Sequence, residues 1–271
     1  MNAGRRTGTV AALVGALALS ALTVSPAEAA DTGITVSKVV VNKGRPVVVG
    51  TSDEKTPSVS FRITLPSGYS TADPFAYDAS PFLYHGTTAA KGADGGGLYM
   101  GGYTCFEDGA RAADCVGELT IDPRYDLDSN SDATTWKIGV AARLFKSDGG
   151  LKAEEYTTAS GSVQVRRWGK VTVNASPEPV TKGKTLTVTG SLTRADWVKH
   201  KYTGFGSQSA ELQFRKKDSS VYTTVKTVKS GSTGALKTTV TASADGYWRW
   251  TFAGTSTTGS ATAAGDFVDV R

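Results

Sequence analysis

The sequence predicts an all-β chain built as two successive β-sandwiches, on three observations. Apolar and polar residues alternate with period two in several segments, the signature of a half-buried strand. Thr, Gly, Val and Ser are all abundant, and no window of comparable length carries a helical stripe. In the C-terminal part of the 271 residues, seven short strand-like segments follow one another in about a hundred residues, which is sandwich spacing.

The first 29 residues read as a secretory signal peptide. Arg5 and Arg6 form a basic start, Val10 to Val24 an apolar run, and Ala27-Glu28-Ala29 an Ala-x-Ala cleavage site. Thr7-Gly8-Thr9-Val10 lack the bulky apolar pair of a twin-arginine signal, so general secretion is expected. Neither a lipid-bearing Cys nor a hydrophobic C-terminal tail is present, and the expected location is extracellular, free of the membrane after cleavage.

Beyond residue 30 the chain holds 28 basic and 24 acidic residues, a balance too mild for nucleic-acid binding. The charge is uneven. Residues 31–167 hold 14 basic against 17 acidic, residues 168–271 hold 14 against 7. The two cysteines, Cys105 and Cys115, lie close together in the exported part and read as one disulfide that staples a short loop.

The first domain is expected over residues 30–167. Ser58 to Leu65 places Val59, Phe61, Ile63 and Leu65 on one face, and Trp136, Ile138, Val140, Ala142 and Leu144 do the same opposite Lys137 and Arg143. Two long loops are expected between such strands. One, residues 67–93, carries Tyr69, Phe75, Tyr77, Phe82 and Tyr84; the other spans the disulfide and an Asp-rich stretch. The Gly92 to Gly97 run, followed by neither Lys-Ser/Thr nor a helical pattern, reads as a flexible turn rather than a phosphate cradle. Val165 to Val171 passes from one strand pattern to the next with almost no linker, which predicts a restrained pair of domains.

The second domain, residues 168–271, is the cleaner. Strands are expected near 170–175, 185–192, 210–215, 223–229, 236–242, 247–252 and 265–270. Leu186, Val188, Leu192, Ala210, Leu212, Phe214, Leu236, Val240, Trp248, Trp250 and Phe252 face inward. Ala244-Asp245-Gly246-Tyr247-Trp248 resembles the turn before the penultimate strand of many bacterial immunoglobulin-like domains. Gly265 to Arg271 resembles the last strand of such modules in secreted actinobacterial proteins. The resemblance covers roughly residues 168–271 and implies a tandem of immunoglobulin-like sandwiches; its motifs are structural and carry no activity.

Little in the chain looks catalytic. Two distant histidines, His85 and His200, without HExxH or GxSxG, remove the commonest hydrolase signatures, and His85 among aromatics reads as structural. A carboxylate-pair enzyme stays open as an alternative, because acid and base meet only in three dimensions. The expected function is therefore non-catalytic: a binding or structural module for a cell-envelope polysaccharide or an extracellular protein.

Two candidate sites follow. Trp197, Lys199, Lys201 and Tyr202, in the connection around His200, set aromatic faces beside cations, which suits sugar rings with anionic groups. The alternative folds Trp197 and Tyr202 back over the end of the sandwich. Asp126, Asp128, Asn130 and Asp132 match the first four ligand positions of an EF-hand loop. Ser131 stands where the loop needs Gly and Lys137 where it needs a bidentate Glu, so an EF-hand is excluded. A β-loop calcium site or a solvated polar turn remains, and calcium is the single candidate cofactor.

Overall fold

The computed structural model describes residues 31–271; the expected signal peptide lies outside the described residues. The first sandwich has eight strands: β1 (Thr35–Val41), β2 (Val47–Val49), β3 (Ser58–Thr64), β4 (Tyr77–Tyr84), β5 (Met100–Glu107), β6 (Ala112–Leu119), β7 (Thr135–Phe145) and β8 (Leu151–Arg167). One sheet runs β1-β3-β6-β5 and the other β2-β8-β7-β4, antiparallel except for the β2–β8 pair. The alternation that predicted β3 and β7 is realised: Val59, Phe61, Ile63, Leu65, Trp136, Ile138, Val140, Ala142 and Leu144 are all at most 4% exposed. Cys105 and Cys115 sit directly opposite each other on β5 and β6, with Cα atoms 4.0 Å apart, and are disulfide-bonded.

Two expectations for this half fail for one reason. The aromatic stretch read as a loop contains β4, whose residues from Pro81 to Tyr84 are all buried instead of alternating. A short helix, α1 (Ala89–Asp94), covers the outer face of the sheet, and Phe82, Tyr84, Ala89 and Ala141 form a small second core beneath it. With both faces covered, the period-two signal vanishes. Pro81 is tolerated because β4 is an edge strand. Gly92 is not a flexible turn but the point where α1 presses on Tyr84. A Cβ there would lie 2.5 Å from the Tyr84 side chain.

The second sandwich has ten strands: β9 (Gly169–Val171), β10 (Asn174–Ser176), β11 (Thr185–Asp196), β12 (Lys201–Gly204), β13 (Ser209–Lys216), β14 (Thr223–Lys229), β15 (Ala235–Thr241), β16 (Gly246–Phe252), β17 (Ala261–Thr262) and β18 (Asp266–Val268). β11 organises one sheet: its first part pairs with β10 and β15, its last part with β9 and β12. The other sheet runs β14-β13-β16-β17, with β18 also on β16. The predicted inward residues form its core, with Trp250 fully buried and donating its indole N–H to the Thr189 carbonyl at 3.1 Å. Phe214 and Val240 are only half-buried. The unexpected part is the end of β11, which runs on to Asp196 and turns into β12 as a hairpin.

Candidate functional site

The hairpin tip that sequence reasoning assigned to a ligand is the joint between the sandwiches. β8 ends at Arg167 and β9 begins at Gly169, so a single residue, Trp168, separates them. Backbone bonds cross here: Trp168 N–H donates to Val49 O and Ala195 N–H to Trp168 O, each at 2.8 Å; Arg167 N–H donates to Thr257 O at 3.0 Å. The β11–β12 tip lies at the same end, because Arg194 pairs with Gly169.

Trp197 is 0% exposed and belongs to the core of the first sandwich, together with Ala195 and the half-buried Tyr202. Its indole N–H donates to Gly50 O at 2.8 Å, and its backbone N–H donates to Asn130 Oδ1 at 3.0 Å. Trp197 therefore cannot contact a ligand. A large ring with one donor, placed where two apolar ends meet, gains most by inserting and bonding the one carbonyl there. Lys170 Nζ sits 3.7 Å from the centre of the Tyr202 ring, covering the other expected aromatic. Of the four expected contacts only Lys199 and Lys201 are exposed. His200 adopts φ 47°, the left-handed conformation that closes the turn.

Polar groups lock the joint. Asn130 Nδ2 donates to Asp196 Oδ1 at 3.0 Å, and the same oxygen accepts the Lys199 N–H at 3.1 Å. Burial alone would raise the Asp196 carboxyl; the Asn130 and Lys199 hydrogen bonds and the charges of Lys199 and Arg167 outweigh it, and the net shift is downward. Arg167 is buried, donates through Nε to Ala195 O, and is lowered to about 10 by burial first and by Arg194 second. It stays charged at neutral pH.

The Asp-rich stretch spends its oxygens on the backbone. Asp126 Oδ2 accepts the Asp122 N–H at 2.7 Å, and Asp132 Oδ2 accepts the Ser129 N–H at 2.9 Å in a capping box of the 3-10 turn Asn130–Asp132. Asn130 belongs to the joint and Asp128 faces solvent. Buried Leu127 and Ala133 pin the segment. Among the described residues no group of three or more His, Cys, Asp or Glu is placed to hold a metal ion. The four residues alternate in sequence but reach in different directions. His85 packs edge-on against Trp136, ring centres 4.5 Å apart, with Nε2 3.5 Å from Asp132 Oδ1, a structural placement.

An open concavity lies elsewhere, where edge strands β4 and β5 of the first sandwich's two sheets face each other. It is an open cleft of about 900 Å³, walled by Phe75, Tyr77, Met100, Tyr103 and Phe145, with Asp78 and Glu107 also lining it. Phe75 is 89% exposed. Tyr103 accepts the Ala79 N–H at 2.9 Å and lies 3.3 Å from Asp78 Oδ1; burial, then the Asp78 charge, pushes its hydroxyl pKa well up. Asp78 is neutralised by Arg143 at 3.1 Å, and Arg143 in turn by Glu154 at 2.6 Å. The sequence shows Phe75 and Tyr77 as aromatics of one long segment, but not their meeting with Tyr103 and Phe145.

No helix among the described residues is long and apolar enough to cross a membrane. No protein-family model and no curated protein matches the sequence. Among solved structures the chain is similar to the ectodomain of mouse nectin-like molecule 4, at 15% identity, 86% of this chain, 65% of that one and a TM-score of 0.26. It is also similar to the Escherichia coli adhesin FdeC, at 16% identity, 88% of this chain, 66% of that one and a TM-score of 0.33. The titin I-band fragment I67-I69 matches at 9% identity, 88% of this chain, 65% of that one and a TM-score of 0.34. The β-sandwich architecture stands on the sheets described above.

Proposed function

We propose that the protein is a secreted, non-catalytic module that binds a cell-envelope polysaccharide through the aromatic cleft of its first sandwich, with the second sandwich held on it at a fixed angle. The observation that carries this reading is the exposure of Phe75 at the rim of a cleft walled by four aromatic rings. An exposed ring of that size is apolar surface left in water, and flat aromatic walls suit the apolar faces of sugar rings. Of the two carboxylates that line the cleft, Asp78 is paired to Arg143, which also holds Glu154, and Glu107 has no ion-pair partner among the described residues, so the lining shows no facing acid and base set apart for proton transfer.

The test is co-sedimentation of the purified protein with isolated envelope fractions, with a soluble protein as control. The protein is expected in the pellet, and Phe75→Ala is expected to leave folding intact while reducing the pelleted fraction at least about tenfold, the loss expected for a contact worth about 1.4 kcal/mol. Protein that stays in the supernatant overturns the function, and unchanged pelleting of Phe75→Ala overturns the site.

A further inference from the structure

The outer face of the second sandwich carries an unbroken row of cations and rings. Arg249 lies 3.6 Å from the centre of the Tyr222 ring, and Arg215 lies 5.3 Å from the same centre. Arg215 is also 3.8 Å from the Tyr247 ring, Tyr247 packs on Phe267 at 5.1 Å between centres, and Lys217 stands 5.8 Å from Phe267. The register explains the order. Gln213 pairs with Arg249 and Arg215 with Tyr247 on β13 and β16, while Tyr247 pairs with Phe267 on β18. Arg215 and Arg249 are thus diagonal neighbours, about 7–8 Å apart on one sheet face. Tyr222 reaches across from the start of β14 and rests on Gly265; a Cβ at 265 would come within 2.2 Å of its hydroxyl.

These cations are held without being neutralised. Among the described residues no carboxylate lies within 4 Å of Arg215, Lys217 or Arg249. Arg215 donates through Nη1 to the Ser219 carbonyl at 2.8 Å, and Arg249 through Nε to Gln213 Oε1 at 2.9 Å. The terminal nitrogens of Arg249 have no protein acceptor among the described residues and are not buried. Stacking on tyrosine fixes each guanidinium plane and keeps its full charge, whereas a salt bridge would cancel it. The acid on β13, Glu211, accepts the Thr224 hydroxyl at 2.9 Å. Hydroxyls of Thr224, Thr251 and Thr262 flank the row.

We infer that this face is a second binding surface, for an acidic sugar or polyol polymer whose repeating carboxylate or phosphate groups bridge Arg249, Arg215 and Lys217. Charge complementarity selects the occupant. Residues 168–271 hold 14 basic against 7 acidic residues, and pre-oriented guanidinium forks match carboxylate and phosphate oxygens bidentately. Threonine hydroxyls beside the forks match the hydroxyls of a sugar chain.

The experiment measures binding of the whole protein to polygalacturonate, to poly(glycerol phosphate), to neutral dextran and to single-stranded DNA. Binding to either acidic sugar or polyol polymer, weakened by salt and absent for dextran, supports the inference, and the preferred polymer identifies carboxylate or phosphodiester as the recognised group. Arg249→Gln and Lys217→Gln are each expected to weaken binding about tenfold, the loss of one charge-assisted hydrogen-bonding partner, with unchanged thermal unfolding. Lys237→Gln, on the other sheet, removes the same charge and is expected to have no effect. Equal weakening by Lys237→Gln, equal affinity for DNA, or binding to neither acidic polymer overturns the inference. The cleft is read from Phe75→Ala in co-sedimentation and this face from Arg249→Gln in polymer binding, so the two fail separately.

Discussion

Replacing Trp197 by alanine should destabilise the first sandwich, although the residue is placed by the second. The ring is fully buried in the first core, so its removal costs about 3–5 kcal/mol for transfer and cavity. Its N–H is the partner of the Gly50 carbonyl, and leaving that acceptor buried and unpaired adds about 1 kcal/mol or more. The expected total is about 4–6 kcal/mol, which for a unit of this size lowers the melting temperature by about 15 °C. Trp197→Phe keeps most of the volume and loses only the donor, so it should cost about 1–3 kcal/mol. Scanning calorimetry gives the magnitude, and limited proteolysis with mapped fragments shows which sandwich opens. A loss under about 1 kcal/mol, or early cleavage confined to residues 205–271, would refute the assignment of Trp197 to the first core.

Acid should loosen the joint. The Asp196 carboxyl is held below its unfolded value of about 3.9, so its contribution is complete above that pH and is lost as pH falls through the folded value. Stability measured from pH 6 to pH 2 should therefore fall less steeply in Asp196→Asn than in the parent, and identical slopes would refute the point. Reduction of the Cys105–Cys115 bond should cost about 2–3 kcal/mol from the short loop it closes, read as a lower denaturant midpoint; an unchanged midpoint would show that the β5–β6 hairpin needs no staple. Millimolar calcium should leave the melting temperature where chelator leaves it, since Asp126 and Asp132 already serve backbone N–H groups. A calcium-dependent rise removed by Asp128→Ala would reinstate the site.

What could be read from sequence tracked how each residue is covered. β7 buries Gly139 and Ala141 in the second core but keeps Lys137 exposed and Arg143 half-exposed, and Val59 to Leu65 has one wet face, so alternation located both. β4 has none, because α1 lies over it, and a strand containing Pro81 and covered on both sides looks like a loop. The disulfide was legible because only two cysteines exist and secretion was expected. Trp197 was not: whether an aromatic at a hairpin tip meets solvent, a ligand or another domain depends on the Arg194–Gly169 pairing, which turns that tip toward the first sandwich. Asp126 to Asp132 shows the converse. The spacing of ligands is visible in sequence, but the turn, pinned by Leu127 and Ala133, decides where the oxygens point. The Arg249 to Lys217 row went unnoticed because its members come from β13, β16, β18 and the approach to β14.

Trp197 also orders events in time. The first sandwich finishes its last strand at Arg167, yet its core stays open, and the Gly50 carbonyl unpaired, until a residue about thirty positions later is in place. A chain emerging from its N-terminus cannot complete its first half before the hairpin of its second half has formed. The usual order for tandem modules, each domain closing alone, leaves this core one ring short until the later half supplies it.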